Sequence, residues 1–130
     1  MTLVIDSSLV AAALVDDGSE GRWAEQLLLR GPLHAPELMP FEVANVLRRL
    51  TSAGRLSSDV ASLAHRNLVS LPVVFVPYEA VADRAWELRA NVTVFDAAYV
   101  AVAELVDAPL ATLDRRLAAA PGPGCEFLVP

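Results

Sequence analysis

The chain contains no lysine at all. That removes the Schiff-base former, the amine base and the lysine that anchors phosphates in many nucleotide sites. All ten basic positions are arginine, whose planar guanidinium grips pairs of oxygens. Cysteine is nearly absent too: Cys125 stands alone, so no internal disulfide can form and thiol redox chemistry lacks a second sulfur, as expected in a reducing cytoplasm. His34 and His65 are the only histidines and do not have metal-ligand spacing. Neither glycine fingerprint of dinucleotide or nucleoside-triphosphate binding occurs. No apolar run approaches the roughly 20 residues that span a bilayer. The opening residues have no basic stretch and Asp6 interrupts their apolar run, so neither a membrane span nor export is expected.

What is present points to a well-buried single domain over residues 1–130. Hydrophobic residues make up 55% and charged residues only 20%, with mean hydropathy +0.44. That balance excludes disorder and suits a sheet covered on both faces, with some apolar surplus left for an interface. The formal net charge of −6 argues against gripping nucleic acid by bulk electrostatics. Any activity on nucleic acid then needs cations to bridge the charge.

Along the chain, the apolar run Leu3-Val4-Ile5 ends abruptly in Asp6-Ser7-Ser8, which reads as a buried strand presenting polar groups at its C-terminal end. Ser7 or Ser8 is positioned to cap a short helix over 9–15, and Ser19 opens a second helix reaching Arg30. A weak strand is expected at 33–35. Pro36 and Pro40 then introduce a helix in which Phe41, Ala44, Leu47 and Leu50 recur at helical spacing until Gly54. Ser57-Ser58-Asp59 caps a fourth helix with Val60, Leu63, Ala64, Leu68 and Leu71 as its buried stripe.

Val73 to Val76 is the clearest β-branched strand. A helix is expected over 79–90, with Asn91 as its left-handed terminator. Asp96 then opens a helix apolar nearly all round through Ala103. Leu110 to Leu113 reads as a strand ending at Asp114, followed by a short helix over 115–120 and a closing strand over 126–129. Strands alternating with one or two helices predict an α/β fold, a parallel sheet inside a three-layer α/β/α sandwich.

Asp6, Glu42, Asp96 and Asp114 each sit at a strand-to-helix junction or in a first helical turn. Each is explained alone as a helix cap or a partner of the helix dipole. Jointly, the strand-end positions of Asp6 and Asp114 aim them at one sheet edge, where Glu42 and Asp96 could meet them. Converging carboxylates resist joint ionisation unless a cation is bound. An oxygen-only donor set without His or Cys selects Mg²⁺ or Mn²⁺ over zinc. Such an ion activates water for attack on a phosphodiester. Ser7 and Thr112 lie beside Asp6 and Asp114 and could support the carboxylates or metal-bound water, or simply satisfy backbone groups.

The segments Leu3 to Ser8, Pro40 to Leu47, Phe95 to Ala103 and Leu110 to Leu117 resemble, in order and spacing, the motifs of the PIN-domain nucleases, and most of all the VapC-type toxins of bacterial toxin-antitoxin pairs. The resemblance spans essentially the whole chain. It implies an α/β/α sandwich with a mostly parallel sheet and a Mg²⁺- or Mn²⁺-dependent endoribonuclease acting on structured RNA such as tRNA or rRNA. Asp6, Glu42, Asp96 and Asp114 match the acidic quartet, and Ser7 and Thr112 the hydroxyl positions beside it. Phe95 stands where many relatives have Tyr. The resemblance further implies a homodimer and a cognate antitoxin covering a hydrophobic groove, for which Trp23, Leu27 and Leu28 are candidates.

Three rival readings stay open on the residues. His34 and His65, one placed in a loop and one on a helix surface, could run metal-free RNA cleavage by acid-base catalysis. A phosphoaspartate phosphatase or receiver domain also places Asp at strand ends, but normally uses a Lys, and Asp6-Ser7-Ser8 lacks the second Asp of the phosphatases. A non-catalytic PIN-like interaction module would use the carboxylates as caps only. Arg48-Arg49 and Arg115-Arg116 are candidate phosphate contacts or solvated surface.

Overall fold

The computed structural model describes residues 1–130. Five strands, β1 (Leu3–Ile5), β2 (Leu33–Pro36), β3 (Val73–Val76), β4 (Leu110–Ala111) and β5 (Phe127–Leu128), form one all-parallel sheet in the order β3-β2-β1-β4-β5. From β1 the chain steps outward through β2 to β3, then returns past β1 to β4 and β5. Because parallel crossovers are right-handed, reversing the direction of travel puts the connecting helices on the opposite face. Helices α1 (Ser7–Val15), α2 (Ser19–Leu28), α3 (Met39–Ser52) and α4 (Ser58–Ser70) pack among themselves as one layer. On the other face, α6 (Val94–Val106) lies across β1, β2 and β4, with α5 (Ala82–Glu87) against it. A short α7 (Arg115–Ala119) links β4 to β5. The reversal falls between β1 and β4, the switch point where open parallel sheets gather their ligands at the strands' carboxyl ends.

The core is built from β1, β4 and α6. Leu3, Val4, Ile5, Leu110 and Ala111 are fully buried, as is every residue from Ala97 to Ala103. This matches the expectation for a helix apolar nearly all round, because the small Ala positions let α6 sit close on the sheet while Tyr99, Val100 and Val102 fill the gaps. Gly21 makes the α1–α2 corner possible: a Cβ there would lie 1.9 Å from the Asp16 carbonyl oxygen.

Several local expectations are corrected. Helix 79–90 is interrupted: 3₁₀ turns at Tyr78–Ala80 and Leu88–Ala90 flank the short α5. Asn91 is not left-handed, with φ −114°; that conformation belongs to Asp107, φ 52°, at the end of α6. Val60 and Leu63 are exposed and only Ala64 and Leu68 of the α4 stripe are fully buried. The reason is that α4 packs on α1 and α3 and not on the sheet, so a narrower stripe is covered. Phe41 is 79% exposed, and the buried face of α3 is Met39, Val43 and Leu47. His34 lies in β2 and not in a loop, and β3, at the rim of the sheet, exposes Val74 and Phe75.

Candidate active site

Asp6 is the N-cap of α1, so its carboxylate, and neither neighbouring serine, caps the helix: Oδ1 accepts the Leu9 N–H at 3.0 Å. The same carboxylate anchors a second set of contacts. Ser8 Oγ donates to Oδ1 at 2.7 Å and Thr112 Oγ1 donates to Oδ2. Each hydroxyl in turn accepts a backbone N–H from beyond β4, Ser8 from Leu113 at 3.1 Å and Thr112 from Asp114 at 2.9 Å. Two backbone-to-hydroxyl-to-carboxylate relays therefore lash the ends of β1 and β4 together through one buried acid. Burial drives the Asp6 carboxyl above its usual range, the Thr112, Leu9 and Ser8 hydrogen bonds pull it back, and the Asp96 charge adds to the rise.

Asp96 lies in the first turn of α6, whose N-cap is Thr93; Thr93 Oγ1 accepts the Asp96 N–H at 3.1 Å. With that cap in place, the Asp96 carboxylate is not itself the helix cap. Its carboxyl is held above the ordinary range by burial first, then by the charges of Asp114 and Glu42, against a smaller pull from Arg116. Asp96 is thus the electrostatic hub, sensed by Asp6 and sensing the other two.

Glu42 sits in the first turn of α3, where Tyr99 of α6 donates its hydroxyl to Oε1 at 2.6 Å. Burial, and then the Glu42 carboxylate, make that phenol far harder to ionise than usual, so Tyr99 stays a donor. Asp114 is the N-cap of α7, its Oδ1 accepting the N–H groups of Arg116 and Leu117 at 3.0 and 3.2 Å. Beside it, Asp96, Thr93 and Arg116 line a hollow of about 240 Å³. Asp6 and Asp114 therefore both serve as helix caps.

The donors suit a hard cation in kind: all are oxygens, and the sole basic side chain against them is Arg116, 3.9 Å from Asp114. No three of the carboxylates stand ready to close on one ion. The fit to a hard cation therefore rests on the kind of donor and not on a closed ligand set.

The sequence pointed to Ser7 as the hydroxyl beside Asp6, whereas Ser8 makes the bond and Ser7 lies toward Tyr99. The available signal was the Asp-x-Ser spacing, which lets a side chain reach two residues back. Tyr99 was also missed, although it stands one turn beyond Asp96 as a polar tip on an apolar helix. Of the groove candidates, Leu27 is core, while Trp23 and Leu28 are partly buried against it.

The chain matches the PIN domain family over residues 3–123. It is 40% identical to "Ribonuclease VapC1" of Mycobacterium tuberculosis over 132 residues, 95% of this chain and 97% of that protein. Among solved structures, PAE2754 from Pyrobaculum aerophilum superposes with a TM-score of 0.72 at 26% identity, covering 98% of this chain and 89% of that one. VapBC2 from Rickettsia felis, solved with a DNA fragment from its promoter, shares the fold with a TM-score of 0.70 at 12% identity, covering 99% and 98%.

Proposed function

Because this chain belongs to the PIN-domain family, we propose that it is a metal-dependent endoribonuclease and the toxin of a toxin-antitoxin pair, with Asp6, Glu42, Asp96 and Asp114 as its catalytic and metal-holding residues. What supports this reading is that Asp96 feels the charges of Asp114 and Glu42 and Asp6 feels that of Asp96, with Arg116, 3.9 Å from Asp114, as the one guanidinium beside them. Such a group is destabilising as anions and is relieved by a divalent cation. Mg²⁺ or Mn²⁺, when bound, lowers the pKa of water and stabilises the leaving oxygen of a phosphodiester.

The protein's own contribution is orientation. Asp6 Oδ1 already accepts two hydrogen bonds and Oδ2 one, which leaves a single lone-pair position on Oδ2 without a hydrogen bond. Tyr99 fixes one oxygen of Glu42 and leaves the other free. Structured RNA, tRNA or rRNA, is the proposed substrate, and a cognate antitoxin the proposed partner. A second copy of the chain is the proposed occupant of an apolar hollow of about 320 Å³ rimmed by Tyr78 and Phe95, where Phe95 is 64% exposed.

The deciding experiment is cleavage of total RNA by purified protein with Mg²⁺, with Mn²⁺ and with EDTA, alongside Asp6→Asn and Asp96→Asn. Cleavage should require metal and fall by orders of magnitude in both variants while circular dichroism stays native. Cleavage that survives chelation, or both substitutions, would overturn the assignment.

A further inference from the structure

The hairpin of α3 and α4 reverses the charge of the molecule. From residue 43 to residue 78 the chain carries Arg48, Arg49, Arg55 and Arg66 against Asp59 as its one acidic residue, in a protein of net charge −6. None of these four guanidiniums lies within ion-pair distance of a carboxylate; the ion pairs of the molecule belong to Arg84 and Arg116. Arg48 spends its Nε on Asn45 and keeps its terminal nitrogens free. Between the two helices runs an open cleft of about 830 Å³, whose walls hold Arg48, Arg66 and His65 among the hydroxyls of Ser52, Ser58 and Ser62.

The cleft shares helix α3 with the acidic site but opens on another face of it. Its near wall begins at Ala44, two residues past Glu42 on the same helix. Arg48 follows Glu42 by six residues, about 9 Å along the axis at the α-helical rise. Only three of the cleft's lining residues are apolar, Ala44, Leu47 and Ala61, and Asp59 is its one acid. Unpaired Arg with Ser hydroxyls is the donor set that phosphate oxygens take.

Resting on the ribonuclease reading above, we infer that the α3–α4 cleft docks the phosphate backbone of the RNA substrate on one side of the bond that is cut. The acidic site repels an RNA strand, and the local excess of arginine on the neighbouring hairpin supplies the attraction that the whole molecule lacks. Contacts of this kind fix register without reading bases.

The test compares wild type with the double variant Arg48→Ala/Arg66→Ala, using Arg22→Ala on α2 as a control. Binding of a fluorescein-labelled tRNA transcript is followed by anisotropy in EDTA across a salt series, so no cleavage intervenes. Losing two phosphate contacts should weaken binding about tenfold or more and reduce the salt slope by about 1.4, at about 0.7 per contact on single strands. With Mn²⁺ present, KM for the transcript should rise while kcat holds, and a dinucleotide, too short to reach the cleft, should be cut equally well by both proteins. An unchanged salt slope and KM would overturn the inference, as would a double variant that keeps RNA binding but loses its antitoxin, which would assign the cleft to a protein partner. If wild type cleaves nothing with either metal, the ribonuclease reading falls, and the EDTA arm still decides whether the cleft holds RNA.

Discussion

Tyr99 reaches from the buried centre of α6 to hold Glu42 at 2.6 Å, joining residues 57 positions apart across the two helical entries to the site. Partners that orient a metal-binding carboxylate typically contribute 10- to 100-fold to affinity or activity. Tyr99→Phe should therefore weaken Mn²⁺ binding, measured by calorimetry, by roughly tenfold and lower kcat with little change in KM for RNA. Partly exposed Glu42 can take water in place of the phenol, so the melting temperature should barely move. Unchanged Mn²⁺ affinity would show that Glu42 needs no such holder.

Ser8 and Ser7 should separate cleanly. Ser8→Ala removes a donor from buried Asp6 and strands the Leu113 N–H, a loss of about 1–3 kcal/mol for an unsatisfied group. It should also reduce Mn²⁺ affinity. Ser7→Ala should cost far less in urea unfolding, since Ser7 makes no bond to Asp6. Equal losses for the two variants would refute the relay through Ser8.

The pH dependence of the metal-free protein follows from Asp6 and Asp96. Both carboxyls are raised, Asp6 chiefly by burial and Asp96 by burial and then the Asp114 charge. A carboxyl raised in the fold binds its proton more readily than the unfolded chain does. Its contribution to stability therefore declines as pH rises from the ordinary value of about 3.9 to the folded value and stays lost above it. Metal-free Asp96→Asn should consequently melt above wild type at neutral pH, with the gap closing on acidification and on addition of Mg²⁺. A variant that melts below wild type throughout would show that the Asp96 charge is not a burden.

Arg84 ties α5 to α6 and to the C-terminal loop: it bonds Glu104 through Nε at 2.7 Å and the Gly122 carbonyl at 3.1 Å, while Glu104 also accepts the Gly124 N–H. Burial alone would raise the Glu104 carboxyl, but the Arg84 and Gly124 hydrogen bonds outweigh it and hold it low. This stabilisation is present above the ordinary carboxylate range and is lost as pH falls through the lowered folded value. Arg84→Ala should cost about 1–2 kcal/mol, toward the low end for charged hydrogen bonds because the side chain is part-exposed. Amide exchange at Leu110 and Thr112, whose N–H groups bond Glu126 and Leu128 of the closing segment, should accelerate. Exchange unchanged at those amides would mean that the clamp does not secure β5.

What was legible in the sequence was whatever local chemistry enforces. The β-branched and apolar runs identified the five strands, and the alternation with helices identified the parallel sheet. The uninterrupted small and apolar residues from Ala97 to Ala103 announced a helix buried all round. The four acidic residues stood out by their positions at element junctions. The capping role of Asp114 was legible too, because a cap is satisfied within three residues, whereas the cap of α1 was assigned to Ser7 or Ser8 and belongs to Asp6. Where the reading went astray, the deciding partner was remote. Val60 and Leu63 look like core by periodicity but are exposed, because α4 has helices beneath it and no sheet.

The Asp-x-Ser spacing favours Ser8 over Ser7 locally, but its second bond, from the N–H of Leu113 105 residues away, exists only once β4 is placed. Tyr99 gained its role in the same way, from Glu42 on another helix. Leu3 to Ser8 by itself determined a strand ending in an acid and two hydroxyls. That the acid also joins two strand ends and shares its field with Asp96 was decided by the reversal of the sheet between β1 and β4, because hydrogen bonds and charges act through space and not along the chain.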